Sequence, residues 1–237
     1  MKTNPYAPPI GFANGVEIPE RYRVRNSRMT LTEFQNIVDS KAAGLLGWLS
    51  ARATFGLLDR QVIDAPNPYL QDLCDVDSIP DRLKNYLLER TDQARAFGFE
   101  DLYCNISVSS GVVAVGGAAR MLHESGKYFL QVVASQIGPI MQGEVHLVSV
   151  TGVPDRIQTF ATSNSRPKYQ RPPTAHAQYF RNLQFQLLLE RHRNWMAELD
   201  QEISLVTSVE ELALVVDHLT TEFFSWQSAR GVLMPLP

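Results

Sequence analysis

An α+β fold is predicted for this chain: a single antiparallel meander sheet of about five strands, flanked by N-terminal and C-terminal helices. Three observations predict it. Residues 103–162 alternate side chains with the period of two expected of strands. Short turns containing Gly or Pro interrupt that stretch. The segments on either side repeat apolar residues at helical spacing.

The strands are read first. Tyr103 to Val108 opens the set, and Ala118 to His123 follows. Glu124-Ser125-Gly126-Lys127 suits a tight hairpin, because glycine accepts positive φ at little cost. Tyr128, Leu130, Val132 and Ala134 then share one face, with Lys127, Phe129, Gln131 and Val133 on the other. Val145, Leu147 and Ser149 alternate with His146, Val148 and Val150. Gly152-Val153-Pro154-Asp155 supplies turn chemistry, and Arg156 to Thr162 reads as the last strand. Such short links join antiparallel neighbours, whereas parallel strands need a long crossover. One face is expected to pack on helices. The other carries Phe129, Val133, Val148 and Phe160, and is expected to be covered by a second helix or by another copy of the chain.

Before the sheet, residues 1–28 hold Pro5, Pro8, Pro9 and Pro19 with little periodicity, and read as an extended arm ending in Arg21, Arg23, Arg25 and Arg28. Residues 29–237 read as one domain. Thr30-Leu31-Thr32-Glu33 fits a capping box. It opens a helix whose apolar positions run from Leu31 through Phe34, Val38, Ala42 and Leu45 to Leu49, widened by Ile37, Leu46 and Trp48. Gly44 and Gly47 are poor helix residues; they admit either a close approach of another backbone or a kink. Residues 59–77 read as a loop. Ser78 before Pro80 resembles an N-cap, Leu83, Tyr86, Leu87, Ala94 and Phe97 form an inward stripe, and Gly98 is placed to stop that helix.

After the sheet, residues 163–173 form a proline-rich basic loop with Tyr169 at its centre. A helix is expected from about residue 176 to 202. Ser208-Val209-Glu210-Glu211 gives a second capping box before a helix that ends at Gly231. Charge is unevenly placed. Residues 155–193 hold seven basic and two acidic residues, whereas 194–229 hold seven acids and no Lys or Arg. The last helix thus offers an acidic surface that could receive the basic arm.

The bulk numbers bound the classes. A chain of 237 residues with 44% hydrophobic and 20% charged residues has the balance of a soluble globular protein. A net charge of −3 gives no reason to expect nucleic acid as a partner. No apolar run reaches membrane-spanning length and the N-terminus lacks a secretory apolar region, so no membrane association and a cytoplasmic location are expected. Cys74 and Cys104 make no disulfide framework and are expected as free thiols.

No motif forces a chemistry. The glycines at 111, 116, 117 and 126 match neither a dinucleotide fingerprint nor a phosphate-binding loop. The five histidines are dispersed without ligand spacing, so no metal and no cofactor are expected. Asp75-Val76-Asp77 could hold a hard cation, but reads first as an acidic approach to a helix. No nucleophile elbow is present and no catalytic residue is assigned. The recognition candidates are Arg166, Lys168, Tyr169 and Arg171: the cations suit phosphate or carboxylate, and the tyrosine suits stacking or burial at a contact.

The leading expectation is a non-catalytic binding or assembly module, homo-oligomeric, whose partner is its own copy or another protein. Two alternatives stand beside it. One is a hydrolase whose site gathers distant residues such as Cys104, His146 and Arg156. The other is a binder of an anionic ligand through Arg166, Lys168 and Arg171.

Overall fold

The computed structural model describes residues 21–38, 40–54, 59, 62–65, 69–109, 114–137, 140–152, 157–199 and 201–236. Strand β1 (Arg21–Val24) buries Tyr22 and Val24 and leaves Arg21 and Arg23 outside. Helices α1 (Leu31–Val38) and α2 (Lys41–Ala53) follow, then the short strands β2 (Val62–Asp64) and β3 (Leu73–Cys74) and helix α3 (Asp81–Arg95). The long strands are β4 (Phe99–Ser109), β5 (Ala114–His123), β6 (Phe129–Ile137) and β7 (Ile140–Thr151). β8 (Gln158–Ser163), β9 (Ala175–Tyr179), α4 (Phe185–Glu198), β10 (Ile203–Ser204), α5 (Val209–Ala229) and β11 (Leu233–Pro235) complete the chain.

These elements correct the expected architecture. The sheet is not a single five-strand meander. It has eight strands in the order β3-β4-β5-β6-β7-β8-β9, with β10 added beside β7, and a separate three-stranded sheet runs β11-β1-β2. β4 to β8 are successive antiparallel neighbours, but β9 lies parallel to β8. Residues 176–179 of β9 fall inside the expected helix. Ala-His-Ala-Gln-Tyr has helix-forming alanines and little β-branching, so its strand state is set by pairing with β8 and not by local preference. The helix itself starts only at Phe185. β1, β2, β3, β10 and β11 are two to four residues long, too short to show a period.

The expected single N-terminal helix is two helices. Ser40 caps α2 with its side chain on the Ala43 amide. The pair packs closely because Gly44 carries no side chain: a Cβ there would lie 2.6 Å from the Cα of Gln35. The Thr30 hydroxyl accepts from the Glu33 amide while the Glu33 carboxylate accepts from the Thr30 amide, a reciprocal capping box. Ser78, in contrast, caps nothing; it ends a short turn that Asp75 caps through the Asp77 amide, and α3 begins at Asp81. That turn also accounts for the Asp75/Asp77 pair. Residues 1–20 of the expected arm and residues 153–156 lie outside the described residues.

Both faces of the large sheet are covered by this chain's own helices. Leu130, Val132, Val145 and Leu147 pack with Leu83 and Leu87 of α3 and with Leu188 and Leu189 of α4. On the other face Phe129, Val148 and Ala161 pack with Leu212, Ala213 and Val215 of α5. Phe160 belongs to the α4 face rather than to the face of Phe129: register pairs it with Ser149, and its ring stacks on His176 and meets Trp195 edge-on. A third cluster joins Tyr22, Val24 and Met29 to Phe224, Val232 and Leu233, so β1 and the segment after α5 share one core.

Candidate functional site

The parallel pairing of β9 dictates where the basic loop must lie. A chain leaving the end of β8 has to return along the strand before it can run parallel to it, so residues 164–174 cross a face of the sheet. They cross the α5 face. Between that face, α5 and the loop lies a cavity of about 550 Å³, a size typical of small-molecule sites.

Thr174 ties the end of the loop to Glu222 of α5 and Asn164 its start to the Val145 amide, and three further hydrogen bonds hold the middle down. Asn36 Nδ2 donates to the Pro167 carbonyl at 2.9 Å, the Gln170 amide donates to Glu33 Oε1 at 2.8 Å, and Gln227 Nε2 donates to the Gln170 carbonyl at 2.7 Å. Tyr169 turns its ring edge to Phe223 of α5, 6.1 Å between centroids. Of the four residues singled out by sequence, Lys168, Tyr169 and Arg171 line the cavity. Arg166 does not; its guanidinium lies over the Tyr179 ring, 5.4 Å from the centroid.

The floor supplies three residues that sequence reasoning passed over: Arg120 of β5, Gln131 of β6 and Glu144 of β7. Arg120 is buried. Its Nε donates to Gln131 Oε1 at 3.0 Å and its Nη1 to Asn105 Oδ1 at 2.7 Å, and it lies 4.7 Å from the Tyr69 ring centroid. Burial draws its pKa down, against the opposing influence of Tyr69 and Asp217. A signal was present: Gln131, Glu144 and His146 are polar residues at alternating positions of otherwise apolar strands, on the face opposite the Leu130 and Leu147 core.

Glu144 organises the charged end. Its Oε2 lies 3.2 Å from His146 Nε2 and its Oε1 lies 3.3 Å from Lys168 Nζ. Burial pushes the Glu144 carboxyl up, but the hydrogen bonds and charge of His146 and Lys168 outweigh it and hold the pKa at about 2. A carboxylate only accepts, so the proton between Glu144 and His146 sits on Nε2. Arg171 is different. It is half-buried, with Glu144 near enough to favour its charge, yet it makes no hydrogen bond or ion pair among the described residues. The cavity wall thus carries Arg120, Lys168 and Arg171 against the carboxylate of Glu144.

The hydrolase expectation finds a different arrangement. Register places Cys104 opposite Ala119 on the α3 face, whereas His146 faces the cavity on the other side of the sheet. Burial, with Cys74 and Asp75 nearby, raises the Cys104 thiol to about 11. Both cysteines are free, and they are direct cross-strand partners. Arg156 lies outside the described residues. Among the described residues His146 bonds to no hydroxyl or thiol, and no group of three His, Cys, Asp or Glu side chains is arranged to hold a metal ion.

His192, in the basic run at 191–193, is a core residue. Its Nε2 lies 2.9 Å from Ser149 Oγ and its Nδ1 2.9 Å from Thr162 Oγ1. The Ser149 hydroxyl donates to the Lys127 carbonyl, so Nε2 is the donor and Nδ1 accepts from Thr162.

No helix among the described residues is long and apolar enough to cross a membrane. Compared with models of protein families, with curated proteins and with solved structures, the chain matches none.

Proposed function

We propose that this protein is a non-catalytic binding module that takes a small anionic organic ligand into the cavity between the sheet, α5 and the 164–174 loop. One observation carries the reading: Arg171 stands half-buried in the cavity wall as a cation without a hydrogen-bonding partner among the described residues. A partly desolvated guanidinium gains most from an anion, and its fork suits a carboxylate or phosphate oxygen pair. Titration calorimetry with a panel of small carboxylates and phosphates tests it. Binding that Arg171→Ala weakens by about tenfold or more, with the circular dichroism spectrum and melting temperature kept, supports it; binding unchanged by Arg171→Ala refutes it.

A second reading, assembly, rests on α2. Leu45, Leu46 and Leu49 point outward at 42%, 66% and 48% exposure, and Ala42 and Ala53 beside them are exposed too. An outward helix face made of apolar residues marks a contact surface. Self-association through this face predicts a molar mass that rises with concentration in light scattering and falls to the monomer value in Leu46→Gln. A strict monomer at high concentration removes this reading. The apolar sheet face lends it nothing, because α5 covers that face.

A further inference from the structure

We infer that the ligand is an elongated amphiphile with a single anionic head rather than a compact anion; this rests on the binding reading of the cavity. The floor is built in rungs by β6 and β7. Phe129 stands opposite Val148, Gln131 opposite His146, and Val133 opposite Glu144. The floor therefore passes from one apolar rung to rungs that carry polar and charged groups, Arg120 beside Gln131 and His146, then Glu144 beside Val133, then Ser135 beside Gln142. Four residues separate Val148 from Glu144, a length of roughly 13 Å at strand rise.

The α5 roof is apolar at both ends, and the charge above the cavity comes from the loop alone. Val216 and Leu219, in the first half of α5, pack with the Phe129–Val148 end, and Phe223 and Phe224 pack with Tyr169 at the loop end. Lys168 and Arg171 come from that loop. A compact anion would engage the loop end and leave the apolar length in contact with water or empty. An uncharged chain would fill the apolar length and leave Arg171 partly desolvated without a hydrogen-bonding partner among the described residues. Only a molecule with both parts satisfies both ends.

The charge of the head follows from which cations are taken. Lys168 is paired with Glu144, and Arg120 is hydrogen-bonded by Asn105 and Gln131 with the Asp217 carboxylate near enough to favour its charge. Arg171 remains, so one negative charge is matched. Carboxylate and sulfate heads share this chemistry.

Calorimetry of the full chain, below micellar concentrations, uses acetate, decanoate, hexadecanoate, decyl sulfate and 1-decanol as probes. Decanoate is expected to bind roughly tenfold or more tightly than acetate, 1-decanol and hexadecanoate. Decyl sulfate against decanoate separates the two head types, and binding of either supports the inference. Arg171→Ala is expected to weaken decanoate binding by about tenfold and leave 1-decanol unchanged. Acetate binding as tightly as decanoate overturns the amphiphile while the anion reading stands. 1-Decanol binding as tightly as decanoate overturns both the anionic head and the role of Arg171. No binding by any probe overturns both readings. Because the chain-length series uses the unaltered protein, the result does not hang on the variant's folding.

Discussion

Arg230 grips Glu33 with both ends of its guanidinium: Nη1 donates to Oε1 and Nη2 to Oε2, each at 2.8 Å. The same carboxylate accepts from the Thr30 and Gln170 amides. One buried side chain therefore ties the start of α1, the basic loop and the end of α5 together. Removing one partner of a buried pair strands the other charge, which costs about 3–5 kcal/mol. Glu33→Ala is expected to lose that much in urea unfolding. It should also weaken ligand binding, because the loop that carries Lys168 and Arg171 loses an anchor. Binding that survives at full strength would show that the loop is held by its other contacts.

Acid should act on the fold in two windows. Burial pulls the His192 imidazole from an ordinary 6.5 down to about 4. The folded state keeps the ring neutral while the unfolded state protonates it. Its contribution is therefore complete above pH 6.5 and is lost as pH falls towards 4. For Glu33, burial raises the pKa but the bonds from Arg230, Thr30 and Gln170 prevail, taking it from 4.5 to about 2. Its contribution is present above pH 4.5 and is lost below. Thermal melts of the parent are expected to fall through both windows, and His192→Leu should flatten the upper slope, leaving the part that His123 contributes, whose pKa burial and Arg193 also lower. An unchanged upper slope in that variant would assign it to another group.

Gly143 on β7 makes room for Tyr86 of α3: a Cβ at Gly143 would lie 2.1 Å from Cζ, at the hydroxyl end of the tyrosine ring. The cross-strand neighbour is Ala134, so small residues on two strands form the recess. Gly143→Ala is expected to destabilise by about 1–3 kcal/mol through overpacking. In a Tyr86→Ala background the same change should cost little. A double-mutant cycle by chemical denaturation measures this; additive costs would show that the ring is not what excludes the methyl group.

What the sequence made legible was local. Thr30-Glu33 and Ser208-Glu211 announce their helices because a cap is read within one turn. The alternation of β6 and β7 is equally local. β1 and β11 pair from opposite ends of the chain, and β9 takes its strand state from β8 although its alanines favour helix. Such contacts depend on partners far along the chain, which no short window contains. The same limit governs the site. Lys168, Tyr169 and Arg171 stand together in sequence and could be singled out, whereas Arg120, Gln131 and Glu144 come from three strands. They meet only because register puts them on one face.

Glu144 sets the sign of the last prediction. With its pKa held at about 2, it is charged at neutral pH and holds Lys168 Nζ at 3.3 Å. It therefore competes with a bound anion for that lysine. Glu144→Gln keeps the shape, removes the negative charge and leaves Lys168 available to the ligand. Decanoate should bind several-fold more tightly to this variant, and more so at low ionic strength, because a charge–charge term is screened by salt. Weaker binding in Glu144→Gln would mean that the carboxylate's main effect is to position Lys168 and His146, with their orientation outweighing the charge it subtracts.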